Sequence, residues 1–575
     1  MEKYQEKYNN WCNDPIFDEE TKIKLKEMEN NEEEKKDSFY KDLEFGTAGL
    51  RGIVGVGTNR MNKYTVGKAT QGLAQYIVKK GMQERGVAIA YDSRNMSKEF
   101  SQLAALTLNA NGIKTYIFEN LRPTPELSFA VRKLGCISGI VITASHNPPN
   151  YNGYKVYWED GAQIFTPIDE EIISEVNSIT DFSKIKEISK EEAEEKGLYN
   201  VISLEMDTQY LEELKKNTLN PEAIKQVAND LKIVYTPLHG TGGMLTKRLL
   251  SELGYKNVHI VKEQEKPDGK FPTVSYPNPE DPNSFELAIK LAKEIDADII
   301  LANDPDADRI GVQVKDSKTG EYIVFNGNML GLTIAEYIIS QKKEKGIMPE
   351  NPALIRTIVS STMTDSICKY YGVELFLALT GFKNIAARIR EFEAKNSHNC
   401  IMGYEESYGC LIGTHARDKD GLIAAMLFCE IAAYYKLKGM TVWDAMKEMY
   451  KKYGYFKEGQ IAVVLEGADG AEKIQKMMKT MRENAPEKLG KYKVLKLMDC
   501  SLGIEKDLKT GEEVKLDLPK SNVLRYTLEN DSWCAVRPSG TEPKIKFYMG
   551  VKGDSLEQAE KDLKDLMEAM REYTK

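Results

Sequence analysis

Short apolar runs alternate with longer amphipathic stretches through most of the chain. Runs at 87–91, 140–142, 232–235 and 297–301 predict buried strands, and further runs at 373–377 and 400–402 continue the pattern. The stretches between them have helical spacing, and the helix after 87–91 is expected to be capped by Ser97. This alternation predicts mostly parallel sheets covered by helices, which is an α/β architecture.

Polar loops follow several predicted strands and suggest internal repeats. The strand-then-loop segments that end at Ser145, Asp304 and Glu405 resemble one another, and so do those around Thr124 and Thr380. After about residue 455, runs at 533–536 and 545–551 with a long helical stretch predict a smaller α+β domain. We expect three repeated mixed-sheet α/β domains and this C-terminal domain around a central cleft, divided as 1–205, 206–325, 326–455 and 456–575.

Composition narrows the classes of partner. The 575-residue chain has a net charge of −9, which disfavours a nucleic-acid-binding surface. No apolar run approaches the ~18 residues that cross a bilayer, and the polar N-terminus does not resemble a secretory signal. The eight cysteines include no Cys-x-x-Cys pair, so zinc ribbons and disulfide frameworks are not expected. We therefore expect a cytoplasmic protein with neither nucleic-acid nor membrane partners.

The loop around Ser145 is the first candidate for chemistry. Ser145 follows the apolar run 140–142 and is flanked by His146 and an Asn-Pro turn. A hydroxyl on a rigid turn beside an imidazole is how a protein presents a nucleophile or a phosphate carrier. A simple turn after a strand is the alternative.

The loop Asp304-Pro-Asp306-Ala-Asp308-Arg309 indicates a metal site. Side chains at i, i+2 and i+4 share one side of an extended backbone, and Pro305 disfavours a helix, so an extended loop is predicted. Three carboxylates suit a hard cation such as Mg²⁺ or Ca²⁺. An EF-hand does not fit, because Arg309 and Lys315 occupy its sixth and twelfth positions. A solvated acidic turn is the alternative.

Three further loops offer groups that bind anions or hydroxyls, although each alone also fits a surface turn. Arg537-Pro-Ser-Gly-Thr has the donors that hold a phosphate, Glu405-Glu-Ser has acceptors for sugar hydroxyls, and Arg51 follows a glycine-rich turn. Together the loops predict phosphoryl transfer on a phosphorylated polyol. Neither a P-loop motif nor G-x-G-x-x-G occurs.

The joint set of motifs carries a family resemblance. Thr-Ala-Ser-His-Asn-Pro, Asp-Pro-Asp-Ala-Asp-Arg, Glu-Glu-Ser and Arg-Pro-Ser-Gly-Thr occur in the order typical of the α-D-phosphohexomutase superfamily of phosphoglucomutases and phosphomannomutases. The chain resembles that family over essentially its whole length. The resemblance implies interconversion of glucose 1-phosphate and glucose 6-phosphate through a phosphoserine enzyme and a bisphosphorylated sugar. It also implies Mg²⁺ as cofactor, a sugar 1,6-bisphosphate as activator, a small sugar phosphate as partner, and a monomer or weak homodimer.

The same resemblance assigns roles to residues. Ser145 is the phosphoserine, and Asp304, Asp306 and Asp308 bind Mg²⁺ together with a phosphoserine oxygen. Lys155 is the candidate general base. The other catalytic positions are Arg51, His146 and Arg309, and the substrate-binding positions are Thr380, Gly381, Glu405, Ser407, Lys419, Arg537, Ser539, Gly540 and Thr541.

Two departures leave the sugar open. Tyr404 stands where the family often has Gly directly before the Glu pair. Gly-Thr-Ala-Gly-Leu-Arg and Thr-Gly-Phe-Lys look like the branch that contains bacterial phosphoglucomutases and phosphopentomutases. A phosphopentomutase or phosphomannomutase is therefore an alternative. Alternatives of a different class are a phosphoserine-dependent sugar phosphatase and an inactive sugar-phosphate sensor.

Overall fold

The computed structural model describes residues 3–46, 49–465, 470–538 and 544–573. The chain forms two compact units: unit 1 comprises Met1–Lys315 with Gly409–Lys438, and unit 2 comprises Asp316–Tyr408 with Gly439–Lys575. Each unit joins segments that are distant in sequence, so the four predicted domain boundaries stay predictions. No helix in the described part of the chain has both the length and the apolar composition needed to cross a membrane.

The first part of unit 1 is a helical lead-in followed by an α/β segment. The lead-in is held by buried aromatic rings, among which Trp11 stacks on Phe17 with ring centroids 4.1 Å apart. Short 3₁₀ turns cover Gln83–Arg85 and Phe182–Lys184. The helices and strands are α1 (Lys3–Asn13), α2 (Glu19–Glu27), α3 (Glu32–Phe39), β1 (Gly49–Ile53), α4 (Lys63–Lys79), β2 (Val87–Tyr91), α5 (Ser97–Ala110), β3 (Thr115–Phe118), α6 (Thr124–Leu134), β4 (Ser138–Ile142), β5 (Tyr151–Trp158), α7 (Ile168–Ser178), α8 (Lys190–Glu195) and β6 (Tyr199–Ile202).

These strands form one mixed sheet in the order β1-β5-β4-β2-β3-β6. Strands β4, β2, β3 and β6 are parallel, and β5 and β1 are antiparallel to their neighbours. Every residue of β2 and β4 is buried, as continuous apolar runs require. Because β2 and β4 are parallel neighbours, the loops after Tyr91 and Ile142 leave the same edge of the sheet.

The predicted cap of α5 is wrong by one residue. Ser97 is the first helical residue, and Met96 precedes it with φ at 68° and no side-chain cap. The Ser97 hydroxyl instead donates to Asp92 Oδ1 at 2.7 Å. The Ser97 side chain therefore hydrogen-bonds to the loop after β2 instead of capping the first turn of α5.

A second mixed sheet follows in unit 1. Strand β9 is parallel to β7 and antiparallel to β10, and β7 is parallel to β8, in the order β10-β9-β7-β8. A 3₁₀ turn covers Pro282–Phe285. The elements are α9 (Leu204–Lys215), α10 (Pro221–Val227), β7 (Lys232–Thr236), α11 (Gly242–Glu252), β8 (Asn257–Ile260), α12 (Lys262–Glu265), α13 (Glu286–Ile295), β9 (Ile299–Asn303) and β10 (Ile310–Lys315).

The next segment contributes to both units. In unit 2, β12 is parallel to both β13 and β14. In unit 1, the long helix α17 is buried along most of its length and packs on α10 and α11. The elements are β11 (Tyr322–Phe325), α14 (Gly327–Glu344), β12 (Pro352–Thr357), α15 (Met363–Tyr371), β13 (Glu374–Ala378), α16 (Phe382–Lys395), β14 (Asn399–Glu405), β15 (Gly409–Ile412), α17 (Gly421–Leu437) and α18 (Val442–Tyr453).

The C-terminal part of unit 2 is an antiparallel sheet with two helices. Its strand order is β16-β23-β22-β21-β18-β19-β20, with β17 paired to β18, and α20 packs on β16 and β23. The α+β prediction for this segment is therefore confirmed. The elements are β16 (Tyr455–Val464), α19 (Gly470–Glu483), β17 (Lys488–Leu489), β18 (Tyr492–Asp499), β19 (Ile504–Asp507), β20 (Glu513–Lys515), β21 (Leu524–Leu528), β22 (Trp533–Pro538), β23 (Lys544–Gly553) and α20 (Leu556–Glu572).

Candidate active site

Ser145 lies on a tight loop just beyond β4, as its position after an apolar run predicted. Its backbone is left-handed, with φ at 51°, and its N–H donates to Thr143 Oγ1 at 2.8 Å. The Ser145 hydroxyl donates to Asp304 Oδ2 at 2.8 Å and lies 3.1 Å from His146 Nδ1. A residue 159 positions away in sequence is therefore in direct contact with the candidate carrier.

A buried arginine that sequence reasoning missed holds this loop in place. The Arg94 guanidinium donates to the carbonyl oxygens of Ser145 at 2.6 Å, Pro148 at 2.8 Å and Tyr151 at 3.1 Å, and also to that of Asn147. Four carbonyls of one loop thus point at a single cation. Such convergence fixes the irregular backbone between β4 and the start of β5.

Asp92 completes this support from the neighbouring strand. Its Oδ2 accepts from Thr143 Oγ1 at 2.6 Å, and the same Thr143 hydroxyl receives the Ser145 N–H. Asp92 Oδ2 also lies 3.4 Å from Arg94 Nε in an ion pair without exposed side-chain surface. The only sequence signal for this pair was the polar tripeptide Asp92-Ser-Arg94 directly after a predicted strand.

The aspartate loop follows β9 but is not extended, so the predicted backbone is wrong. The Ala307 N–H donates to the Asp304 carbonyl at 2.9 Å, and Ala307 has φ at 51°. This turn, rather than strand-like alternation, brings the carboxylates together. Oxygens of Asp304, Asp306 and Asp308 all lie within 4.8 Å of one another, so the predicted convergence of the three carboxylates holds.

The three buried carboxylates repel one another. Burial raises the pKa of Asp304 well above its ordinary value, and the charges of Asp306 and Asp308 add to the increase. The pKa of Asp308 is raised by burial and by Asp306. Burial also opposes ionisation of Asp306, but the ammonium of Lys155 and several hydrogen bonds hold the pKa of Asp306 below its usual range. A cation is the group that such a triad needs.

The donor set fits a hard divalent cation. Asp306 Oδ1 and Asp308 Oδ1 are buried and, among the described residues, have no hydrogen-bond partner. Buried carboxylate oxygens without a donor are costly unless a cation neutralises them. The oxygens beside the Ser145 hydroxyl match the ligands that Mg²⁺ prefers.

Two lysines face the triad. Lys155, on β5, donates to Asp306 Oδ2 at 2.8 Å and lies 4.0 Å from Asp308 Oδ2. Lys419 lies 3.0 Å from Asp308 Oδ2 and donates to Asp418 Oδ1 at 3.1 Å. Both predicted lysines are thus brought to the candidate metal site from distant segments of unit 1.

The other predicted catalytic side chains of unit 1 also lie around the triad. Arg51 Nη1 donates to Asn147 Oδ1 at 3.1 Å, on the Ser145 loop. Arg309 donates to Glu280 Oε1 at 2.7 Å and approaches Asp308 Oδ1 at 3.8 Å. Burial, together with the charges of Arg309 and Arg51, lowers the pKa of His146 well below its ordinary value. His146 is therefore a neutral imidazole beside the serine at physiological pH.

Asp418 is a further residue that sequence reasoning missed. Its Oδ2 accepts from Tyr157 at 2.7 Å and from Gln163 Nε2 at 2.9 Å, while Oδ1 accepts from Lys419. These contacts tie the Lys419 loop to strand β5, which also carries Lys155. Asp418 therefore orients the head group of Lys419.

Unit 2 contains a second group of predicted residues. Gly381 N–H donates to Glu405 Oε1 at 2.7 Å, which brings the segment after β13 beside the end of β14. Glu405 is the last residue of β14 rather than part of the loop, and Thr380 and Ser407 lie in the adjoining turns. The structure therefore brings together two of the segments predicted to read sugar hydroxyls.

The side of unit 2 that carries Arg537 is linked to this group through Tyr548. Burial raises the pKa of Tyr548, with Glu406 and Glu405 adding to the increase, whereas a hydrogen bond and the charge of Arg537 oppose it. Arg537 lies in β22 and pairs with Lys546 in β23, two residues before Tyr548. Ser539, Gly540 and Thr541 lie outside the described residues, so their predicted contact with phosphate stays a prediction.

Family models match most of the chain. Models described as phosphoglucomutase/phosphomannomutase α/β/α domains I, II and III match residues 42–182, 208–319 and 326–453, respectively. The chain belongs to the phosphoglucomutase/phosphomannomutase family. The resemblance inferred from four motifs is thereby confirmed, together with the predicted α/β domains and the assignment to phosphotransferase-type isomerases.

Curated relatives and solved structures agree with this membership. A protein of Staphylococcus epidermidis named phosphoglucomutase is 36% identical over 559 residues, which cover 97% of this chain and 99% of the relative. A phosphoglucomutase of Staphylococcus saprophyticus is 37% identical over 527 residues, covering 92% and 94%.

Two solved structures share the fold at low identity. The open form of the phosphoprotein parafusin, a phosphoglucomutase from Paramecium, has a TM-score of 0.68 at 19% identity and covers 92% of this chain and 95% of its own. A phosphoglucomutase/phosphomannomutase family protein from Burkholderia thailandensis has a TM-score of 0.65 at 20% identity, covering 92% and 97%. This phosphoglucomutase/phosphomannomutase family member therefore has the family fold over nearly its whole length.

Proposed function

We propose that this family member interconverts glucose 1-phosphate and glucose 6-phosphate, with Ser145 as the phosphoryl carrier. One observation carries the proposal: the Ser145 hydroxyl donates at 2.8 Å to Asp304, one of three buried aspartates that each have a carboxylate oxygen within 4.8 Å of the others. The curated relatives named phosphoglucomutase at 36–37% identity support glucose as the sugar.

In the proposed reaction, the Oγ–phosphorus bond of phospho-Ser145 breaks as a phosphorus–oxygen bond forms to the free hydroxyl of the sugar monophosphate. The proton of that hydroxyl leaves to a base. The serine oxygen takes up a proton as it leaves. In the return step the Ser145 hydroxyl loses its proton and bonds to the other phosphorus of the bisphosphorylated sugar, while the bond from that phosphorus to the sugar oxygen breaks. The sugar oxygen takes up a proton, and a sugar monophosphate of the other isomer is released. A sugar 1,6-bisphosphate would activate resting enzyme by phosphorylating Ser145 in the same way.

We propose that Asp304, Asp306 and Asp308 hold Mg²⁺ together with an oxygen of phospho-Ser145. Mg²⁺ bound there would neutralise charge on the transferring phosphoryl oxygens. The buried Oδ1 atoms of Asp306 and Asp308, which have no hydrogen-bond donor in the described part of the chain, support this assignment.

The cationic side chains around the triad complete the proposed carrier site. Arg309 and Arg51 would stabilise negative charge on the transferring group, and neutral His146 would donate or accept a hydrogen bond at the serine oxygen. Lys155 is the proposed general base, a role that requires its neutral form. Lys155→Arg tests it, because arginine keeps the positive charge beside Asp306 but does not exchange protons at neutral pH.

The segments that carry Glu405 and Arg537 are proposed to recognise the sugar and its second phosphate. Glu405 and Ser407 offer acceptors for sugar hydroxyls, and Thr380 and Gly381 shape the adjoining turn. Arg537, with Ser539, Gly540 and Thr541, would bind the phosphate that is not being transferred, and Lys419 would contribute a further positive charge. The hydrogen bond between Gly381 and Glu405 supports a shared role for these two segments.

A coupled assay tests the proposal. Glucose 1-phosphate is supplied with Mg²⁺, with and without a trace of glucose 1,6-bisphosphate, and both glucose 6-phosphate and inorganic phosphate are measured. We expect glucose 6-phosphate, stimulation by the bisphosphate and almost no inorganic phosphate. Release of phosphate would indicate a phosphatase, and binding without turnover would indicate a sensor. Parallel reactions with mannose 1-phosphate and ribose 1-phosphate rank the sugars.

A further inference from the structure

Thr124 contacts the aspartate loop although no motif assigns it a role. It is the first residue of α6, in the α/β segment that carries Ser145, whereas Asp306 lies 182 positions later, after β9. The Thr124 hydroxyl donates to Asp306 Oδ2 at 2.9 Å, and the Thr124 N–H donates to the Asp306 carbonyl oxygen at 2.9 Å. One residue thus contacts both the side chain and the backbone of Asp306.

The two oxygens of the Asp306 carboxylate have different surroundings. Oδ2 accepts from Thr124 and also from Lys155 Nζ at 2.8 Å. Oδ1 is buried and, within the described ranges, has no hydrogen-bond partner. Two donors on one oxygen fix the rotation of the carboxylate, so that the other oxygen points in one defined direction.

We propose that Thr124 is a positioning residue that orients Asp306 for the cation. The inference rests on the proposed magnesium site and deepens it. Carboxylates that ligate metals are commonly held by hydrogen bonds from residues that do not touch the metal, and loss of such a partner typically weakens metal affinity about 10- to 100-fold. Lys155 still restrains Oδ2 when the threonine hydroxyl is removed, so the effect on affinity belongs near the lower end of that range.

Thr124 is suited to this role by its position in the helix. The first N–H groups of a helix have no partner within the helix. The Thr124 N–H is therefore free of the helix and can donate to the Asp306 carbonyl. Pro123 before it holds the chain in an extended conformation, with φ at −60° and ψ at 148°. The hydroxyl is fully buried, so its hydrogen bond does not compete with solvent.

The experiment measures Mg²⁺ binding directly, by isothermal titration calorimetry on the full-length chain. Thr124→Val removes the hydroxyl and keeps the shape, and Thr124→Ser keeps the hydroxyl. Thr107→Val is the matched control, because Thr107 is equally buried in unit 1 and its hydroxyl has no partner among the described residues. The intact mass of each sample is measured to verify that all variants carry the same level of Ser145 phosphorylation.

We expect Thr124→Val to weaken Mg²⁺ binding about 10-fold or more, with Thr124→Ser and Thr107→Val close to the parent. Unchanged affinity in Thr124→Val would overturn the inference. It would also be overturned if Thr124→Ser lost affinity as strongly as Thr124→Val with a matching fall in thermal stability, because that pattern indicates a purely structural role.

Mutase activity of the parent, measured separately, distinguishes this inference from the proposed function. A parent whose Mg²⁺ affinity depends on Thr124 but that does not isomerise glucose 1-phosphate would refute the function and leave the inference standing. An active parent whose Mg²⁺ affinity is indifferent to Thr124→Val would refute the inference alone. A parent that binds no Mg²⁺ would refute the inference and the metal site together.

Discussion

Removal of the Arg94 guanidinium is the most severe test of what holds the Ser145 loop in place. Its buried guanidinium donates to four carbonyl oxygens between Ser145 and Tyr151 and forms an ion pair with Asp92. Arg94→Met keeps much of the side-chain volume but removes every one of these donors. The loop carbonyls and Asp92 would then remain buried with fewer partners.

The magnitude follows from this loss. Removal of one partner from a buried ion pair costs about 3–5 kcal/mol of unfolding free energy, since the other charge stays buried. The hydrogen bonds to the guanidinium belong to the same network, so their contributions of about 1.5–3 kcal/mol each do not add in full. We therefore expect Arg94→Met to lower the unfolding free energy by about 3–5 kcal/mol. Displacement of Ser145 by about 1 Å would also lower kcat about 100-fold.

The assay combines unfolding monitored by circular dichroism with mutase kinetics. Arg85→Met is the control, because Arg85 is an exposed arginine whose ion pair with Glu159 is expected to contribute only about 0–1 kcal/mol. Arg94→Lys retains a positive charge without the planar fork, so it should lie between the parent and Arg94→Met and be measurable if Arg94→Met does not fold. If Arg94→Met matched Arg85→Met in stability and kcat, the Ser145 loop would not depend on this cation and our reasoning would fail.

Three further predictions follow from other parts of the molecule. Burial raises the pKa of Glu458 from 4.5 to about 7, so between these pH values the folded protein binds more protons than the unfolded chain. The unfolding free energy should therefore fall as pH rises through this interval, and Glu458→Gln should flatten the fall. An unchanged pH slope in the variant would contradict the assignment. Mg²⁺ at about 100 times its Kd should stabilise the protein by about 2.7 kcal/mol in thermal unfolding, and Asp306→Ala should abolish this stabilisation. If Mg²⁺ stabilised the parent and Asp306→Ala equally, the cation would bind elsewhere. Glu405→Ala removes the acceptor of the Gly381 N–H and should lower kcat/KM about 10- to 100-fold. Glu405→Gln keeps an acceptor, so its kcat/KM should fall less. The reverse order of the two variants would show that the hydrogen bond is irrelevant.

Continuous apolar runs predicted the sheets well because burial on both faces leaves little choice of residue. The runs at 87–91 and 140–142 fall within β2 and β4, whose residues are all buried. The position of the Ser145 loop followed from the end of the run at 140–142, and that of the Asp304 loop from the end of the run at 297–301. The pattern therefore placed these two loops at strand ends, whereas Arg51, Lys155 and Lys419 were assigned through the family resemblance.

Local conformation and distant partners were harder to predict. The aspartate loop was expected to be extended because Pro305 disfavours a helix. A turn with a left-handed Ala307 is also compatible with proline at position 305, and this turn is what the chain forms. Arg94, Asp418 and Thr124 act through partners far away in sequence, and no local spacing marks them. Their roles depend on which strand ends meet, and only the folded chain shows this.

The transfer of a phosphoryl group to Ser145 tests the central claim most directly. The purified protein is mixed with glucose 1,6-bisphosphate labelled with ³²P, the protein-bound label is located by peptide mapping, and excess unlabelled glucose 1-phosphate is then added. We predict label on Ser145 that passes into glucose 1,6-bisphosphate and then glucose 6-phosphate, with no label bound by Ser145→Ala. Label on another residue, or mutase activity in Ser145→Ala equal to that of the parent, would contradict the account.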